Sequence, residues 1–214
     1  MKKAVILGAS GLVGSFLLDE LITSPEIEKV YALGRRPLNN ESPKLEQITG
    51  DLMSEDFWEL SLDADLLFIC IGTTKAKTPD ESWYFKIDHG IPVSAAKWAK
   101  AKGLKRLLVV SALGAKSQSS NFYLSTKGKM EEDVHKFGPE TVVLRPSMIM
   151  GPRQETRPLE AIAMFIFRIL NPLIPKKYRG VKAKDIARAL YNLSLAETAP
   201  ELVLSKDIPK KAKA

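Results

Sequence analysis

The chain is poor in the residues that build cross-links and metal centres. It holds one cysteine and two histidines among 214 residues. Cys70 lies inside the apolar run DLLFICIG. A single thiol there offers no disulfide framework and no thiolate cluster, which points to a reducing compartment and to a cytoplasmic location. His89 and His135 stand far apart in sequence, so no metal site is expected. A long hydrophobic run is missing too. The longest late one, AIAMFIF, is followed at once by Arg168 and falls far short of a transmembrane span. The N-terminal MKKAVILGASGLVG sets two lysines before an apolar run, but that run breaks directly into glycines. A signal peptide needs a longer apolar region and a small-residue cleavage site, so a first β-strand is expected instead. No internal repeat and no clear linker is visible.

What the chain does have is enough apolar material for one sizeable core, 45% of its residues, at a mean hydropathy of -0.08. Short apolar runs alternate with longer amphipathic segments. AVILG precedes a helical segment from Gly11 to about Thr23; VYALG precedes a polar loop; LEQITGD precedes a short turn near Asp56. DLLFICIG then leads into a helical stretch from Ile91 to Lys102, RLLVVSA into SSNFYLSTKGKMEEDVHKF, and TVVLRPSMIMG into a mostly helical remainder with a last strand near LVLS. Strands alternating with helices of this length predict β-α-β units, and the strands ILG, FICIG and LLVVS are apolar without alternation, as strands covered on both faces should be. The expected fold is α/β, a doubly wound parallel sheet of the Rossmann type with a small, mostly helical C-terminal subregion. One domain is expected over residues 1–205, with 151–182 as an insertion serving as substrate region, lid or interface, and 206–214 as a basic tail.

The first strand runs into Gly8-Ala9-Ser10-Gly11-Leu12-Val13-Gly14. Gly8 suits a tight turn out of the strand, Gly11 lets the backbone approach a pyrophosphate, and Gly14 lets the helix pack close to the sheet. The helix N-terminus then offers N–H groups and the positive end of its dipole to phosphates. The pattern sits between a strand and a helix, the context that a dinucleotide site requires. An NAD site would carry a carboxylate at the end of the second strand, to hold the ribose 2′-hydroxyl. This chain has Gly34-Arg35-Arg36 there, and paired guanidinia match a 2′-phosphate in charge and fork geometry. NADP(H) is therefore the expected cofactor, with NAD(H) the second choice. Asp51 and Leu52 after the third strand, and Gly72, Thr73 and Thr74 after the fourth, follow at successive strand ends, where a doubly wound sheet lines its ligand crevice.

Tyr123 and Lys127 are spaced Y-x-x-x-K. Alone, the pair fits an aromatic and a solvated lysine on one helix face as well as it fits proton chemistry. The ordered set of GASGLVG, GDL, IGTT, VVSALGA, YLSTK and LRPSMIMGPR resembles the short-chain dehydrogenase/reductase superfamily, over nearly the whole chain. SSNFYLSTKGKME, LRPSMIMGPRQETRP and KAKDIARAL resemble its atypical branch, which includes the Tat-interacting-protein-like oxidoreductases. That resemblance implies Tyr123 as general acid/base. It implies Lys127 as the residue that holds the nicotinamide ribose and favours the tyrosinate, and Ser111 as a hydrogen-bond donor to the substrate carbonyl. Pro146 and Ser147 would border the nicotinamide. The physics agrees, since a nearby ammonium lowers the pKa of a phenol. One departure stands out: the asparagine that many members place before the serine strand is Asp88 here, open to a hydrogen-bonding role or to helix capping.

The implied activity is NADP(H)-dependent oxidoreduction of a small-molecule carbonyl or alcohol by a monomer or homodimer. The alternative is an NADP(H)-binding regulator or scaffold with little turnover. Arg153 and Arg157 are candidate substrate contacts, with a salt-bridged turn the competing reading. The net charge of +7 and the late cluster of Arg168, Lys176, Lys177, Arg179, Lys182, Lys184, Lys210, Lys211 and Lys213 fit a solvated surface or an anionic partner. A specific nucleic-acid partner is not expected, because those lysines are not interleaved with aromatics beyond Tyr178.

Overall fold

The computed structural model describes residues 1–151 and 175–213. Seven strands form one parallel sheet in the order β3-β2-β1-β4-β5-β6-β9. They are β1 (Lys2–Leu7), β2 (Ile27–Gly34), β3 (Leu45–Thr49), β4 (Leu66–Ile69), β5 (Arg106–Val110), β6 (Glu140–Arg145) and β9 (Leu202–Leu204). Two short strands, β7 (Ile149–Met150) and β8 (Val181–Lys182), pair separately and in parallel. The order runs one way from β1 to β3 and the other way from β4 to β9. The crevice outside the carboxyl ends of β1 and β4 is therefore the topological switch point, where open α/β sheets take ligands.

The central strands bury both faces because their residues alternate between two apolar layers. Ala4 and Ile6 of β1 join Phe68 and Leu108 under α1 (Leu12–Thr23) and α5 (Ala183–Leu195). Val5 and Leu7 join Leu67, Ile69 and Leu107 under α3 (Ile91–Ala101) and α4 (Phe122–Phe137). Phe68 has no exposed surface at all, and each such side chain contributes about 1.5–3 kcal/mol of burial. Cys70 follows β4, and burial pushes its thiol up to about 12. The one-residue stagger of this pattern explains why the sequence runs lack alternation: both neighbours of every core residue are themselves core.

A buried cation closes the end of the first layer. Arg106, at the start of β5, donates to the carbonyls of Leu193 and Ala196 at 2.8 and 2.7 Å and pairs with Glu140 at 2.9 Å. The last carbonyls of α5 have no helical partners, so a guanidinium placed there satisfies them and complements the helix dipole. Residues 206–213 fold back on the same helix. The short helix α6 (Ile208–Lys211) buries Ile208 completely, and Asn192 donates to the Lys211 carbonyl at 2.9 Å. Among the described residues no helix is long and apolar enough to cross a membrane.

The helical stretch before β5 begins at Glu81 and is not α-helical throughout. It begins at α2 (Glu81–Phe85), capped by Asp80, which accepts from the Trp83 N–H at 2.9 Å. It then widens into a π turn over Lys86–Gly90 before α3. Pro92 explains the widening, because a proline has no N–H to give to a carbonyl four residues back and its ring crowds that carbonyl.

Helix α4 packs against the loop that follows β5 at a single glycine. A Cβ on Gly128 would lie 2.2 Å from the Ser117 nitrogen and 2.3 Å from the Lys116 carbonyl carbon. Glycine to alanine inside a helix ordinarily stabilises by about 0.5–1 kcal/mol. Here the methyl meets rigid backbone, and overpacking of that kind costs about 1–3 kcal/mol. Gly128→Ala should therefore lower the urea midpoint. A midpoint that rises would show that the loop is free to move aside.

Candidate functional site

The glycine loop after β1 is built as close packing demands. Gly8 has φ +84°, and a Cβ on it would sit 2.7 Å from the carbonyl carbon of Cys70, the backbone leaving β4. A Cβ on Gly14 would sit 2.0 Å from the Gly8 oxygen. Gly11 N–H closes the turn onto the same oxygen at 2.9 Å. Helix α1 then starts with no side-chain cap and no acidic residue in its first turn. Its first N–H groups have no helical partner, which leaves a polar, positive end facing the crevice for a phosphate. Ser10 is exposed beside it, Leu12 is half-buried, and Val13 is buried in the core.

At the end of β2, Arg35 and Arg36 are exposed, with no ion-pair partner among the described residues. Asp51 is exposed too, and its carboxylate accepts from the Met53 N–H at 3.0 Å. Leu52 is buried, and its carbonyl takes the Trp58 indole N–H at 3.2 Å. After β4, Gly72 and Thr74 are exposed, while Thr73 donates its N–H to Asp88 Oδ2 at 2.8 Å and shares a 2.8 Å hydroxyl contact with Thr78.

Beyond this loop lie the residues expected to run proton chemistry. Tyr123 and Lys127 occupy successive turns of α4, whose N-cap Asn121 accepts from the Leu124 N–H at 3.1 Å. Tyr123 keeps 41% of its surface exposed, and Lys127 only 4%. The ammonium of Lys127 meets Asp88 Oδ1 at 2.8 Å. Asp88, left open between hydrogen bonding and capping, is thus the buried partner of the lysine, turned inward by the π turn. Ser111 follows β5, is 4% exposed, and has a buried hydroxyl with no partner among the described residues. A buried hydroxyl without a partner costs on the order of 1–3 kcal/mol, which a ligand's hydrogen bond would recover. The glycine cradle, the uncapped helix and this hydroxyl all suit a nicotinamide dinucleotide.

The phenol departs from the sequence expectation. Tyr123 is held above the ordinary tyrosine value, chiefly by desolvation. Lys127 lowers it, as expected, but Asp88 raises it, and the ammonium does not outweigh the other two. The expectation overlooked the carboxylate that accompanies the lysine.

Pro146 accepts from Leu113 N–H at 2.8 Å and is buried. Ser147 donates its hydroxyl to the Arg179 carbonyl and takes part in a 3.0 Å contact with Ser205, so its side chain ties β6 to the segment before β8. Arg153 and Arg157 lie outside the described residues. A cleft of about 550 Å³ that the motifs did not indicate opens between the loop after β4, α2 and the start of α4. Thr73, Thr78, Tyr84, Asn121, Phe122 and Tyr123 are among its walls. Tyr84 donates to the Thr73 carbonyl at 3.2 Å and meets Phe122 edge-on at 5.6 Å. At the rim Lys75 pairs with Glu81 at 3.3 Å. The Asp80 cap before an aromatic-rich turn was the sequence signal for this wall.

Comparison with known proteins agrees with this geometry. Residues 4–193 match the model of the "NAD dependent epimerase/dehydratase family". The "Protein fmp52-1, mitochondrial" of Aspergillus terreus (strain NIH 2624 / FGSC A1156) is 36% identical over 209 residues, 91% of this chain and 88% of that protein. The "Protein FMP52, mitochondrial" of Meyerozyma guilliermondii is 33% identical over 224 residues, 99% of this chain and 95% of that one. The fold is shared with the Bordetella bronchiseptica enzyme WbmG, solved in complex with NAD, at a TM-score of 0.71 and 17% identity, over 96% of this chain and 73% of that one. The mitochondrial names of these relatives overturn the expected cytoplasmic location. One thiol with no second to pair with carries no information about the compartment. With the glycine cradle at the switch point, an NAD(P)-binding Rossmann sheet and a family match along most of its length, the chain belongs to the NAD dependent epimerase/dehydratase family.

Proposed function

We propose that the chain is an NADP(H)-dependent oxidoreductase of the atypical short-chain type, acting on a small carbonyl or alcohol bound in the cleft beside Tyr123. The supporting observation is the placement of the partly exposed Tyr123 at the wall of that cleft, one helical turn before the buried Lys127. The dinucleotide, when bound, supplies or accepts the hydride. Ser111 hydrogen-bonds the substrate oxygen and orients it. Tyr123 gives its phenolic proton to that oxygen as negative charge develops there, and takes it back in the reverse direction. Lys127 supports the phenolate left behind and holds the ribose. The walls of the cleft are hydroxyls and aromatic rings, with the rim ion pair self-compensated, a lining suited to an uncharged substrate of modest size. Arg35 and Arg36 are exposed and have no ion-pair partner among the described residues, as a fork awaiting a 2′-phosphate would.

Two outcomes test this. Tyr123→Phe should reduce NADPH-linked turnover of an aldehyde and ketone panel by at least about a hundredfold, as removal of a general acid does. Its calorimetric affinity for NADPH should hold. With the phenol raised, alcohol oxidation in the wild type should climb steadily on the alkaline side of neutrality, because it needs phenolate, while carbonyl reduction stays level there. Parallel loss of turnover and affinity would make the tyrosine structural.

Replacing Arg35 and Arg36 together with alanine should weaken NADPH binding by at least about tenfold, the loss of more than one charge-assisted contact, and leave NADH binding nearly unchanged. An unaltered ratio of the two affinities would remove the phosphate role from this pair.

A further inference from the structure

We propose that Asp88 is a positioning residue that pins Lys127 beneath the dinucleotide loop and cancels its charge, so that Lys127 acts on Tyr123 as one half of a neutral pair. The inference deepens the reading of Tyr123 and Lys127 as the working pair and rests on it.

The geometry carries the argument. The side chains of Asp88 and Lys127 are 1% and 5% exposed and meet at 2.8 Å. Neither ion is tenable alone at that depth, since an uncompensated buried charge costs several kcal/mol. The second carboxylate oxygen is held by the Thr73 N–H at 2.8 Å, so the carboxylate cannot swing away to follow the lysine. A Cβ on Gly72 would lie 3.4 Å from Asp88 Oδ1 and 3.8 Å from Lys127 Nζ. The bare backbone of the loop therefore lies directly against the pair. Lys127 is anchored from the side of the π turn by this ion pair.

Among the described residues, the titratable groups that act on the phenol are Lys127 on α4 and Asp88 on the π turn, with Tyr84 on α2 a coupled phenol. His89, next to Asp88, is engaged with Asp133 at 2.8 Å and stacked on Phe85 at 4.3 Å, which makes it a separate pair. Asp88 raises both phenols, Tyr84 and Tyr123, while Lys127 lowers Tyr123. Opposite signs on one phenol from one ion pair are what cancellation means.

The test reads Tyr123 directly, without substrate or cofactor. The full chain is labelled with 13Cζ-tyrosine, the Tyr123 resonance is assigned by its loss in Tyr123→Phe, and its chemical shift is followed with pH. Asp88→Asn leaves the ammonium uncompensated and should move the Tyr123 midpoint down by about one unit, tenfold more phenolate at a given pH. Lys127→Met should move it up. The double variant Asp88→Asn/Lys127→Met removes both charges in nearly unchanged volume, should fold even if either single variant does not, and should titrate within about half a unit of wild type. A fixed midpoint in Asp88→Asn, or one that rises, overturns the proposal. So does a double variant displaced by more than that half unit. Absence of NAD(P)H-linked turnover would instead strike at the enzymatic reading, and the titration is independent of it.

Discussion

A carboxylate and an ammonium, both taken out of water, meet at 2.8 Å where the loop after β4, the π turn and α4 converge. Most of the site is arranged around that contact. Burying two ions is tolerable only if their geometry is fixed, and the fixing is done by backbone. The Thr73 N–H orients the carboxylate, the π turn aims it inward, and Gly72 withholds a Cβ so that the loop can lie close. Gly128, the next residue after the lysine, has its own constraint: it lets the following loop press against α4. The pair thus ties together two successive crossovers, β4 to β5 and β5 to β6, at the carboxyl end of the sheet.

The same end of the sheet shows two different uses of glycine. At Gly8 and Gly14 the absent Cβ lets backbone meet backbone around the start of α1, with added atoms falling 2.7 and 2.0 Å from carbonyl groups. That packing makes a cradle with its N–H groups outward. At Gly72 nothing is so tight, and the space left is filled by side-chain charge. One end of the crevice therefore offers neutral dipoles suited to phosphate, and the other a compensated ion pair beside a phenol. A dinucleotide laid across the switch point would meet the dipoles with its pyrophosphate and the ion pair with its reactive half.

The sheet was legible because its signals are local and repeated. Apolar strands without alternation, each followed by a glycine or small residue, leave few topologies once crossovers are right-handed. The glycine loop and the Y-x-x-x-K spacing were legible for a similar reason: each places its residues within two helical turns. What escaped was long-range. Asp88 and Lys127 are 39 positions apart in number, and only the π turn, which answers to Pro92, turns the carboxylate toward the lysine. The effect of Lys127 on Tyr123 was anticipated with the right sign, but the burial of the phenol and its negative neighbour were not visible in a one-dimensional pattern. The cleft at Tyr84 and Phe122 escaped for the same reason, since its walls come from segments nearly forty residues apart. The location inferred from Cys70 failed differently, because a lone thiol reports the absence of a cross-link and not the place where the chain works.

The contrast in exposure between Tyr123 and Lys127 has a chemical consequence. In the proposed reaction a residue that exchanges protons with substrate and solvent has to remain reachable, and Tyr123 keeps 41% of its surface open. A residue proposed to hold a fixed charge in place benefits from the opposite, and Lys127 keeps 4%. Helical geometry delivers both from one segment, because four residues advance the chain by about 6 Å along one face, from the mouth of the crevice toward its floor. Exposure of the lysine would let water screen it from the phenol, and full burial of the tyrosine would raise the phenol further and cut its proton path. Placing the counter-ion Asp88 at the floor and not at the mouth preserves that division: the carboxylate answers the lysine at contact distance and acts on the phenol only through space.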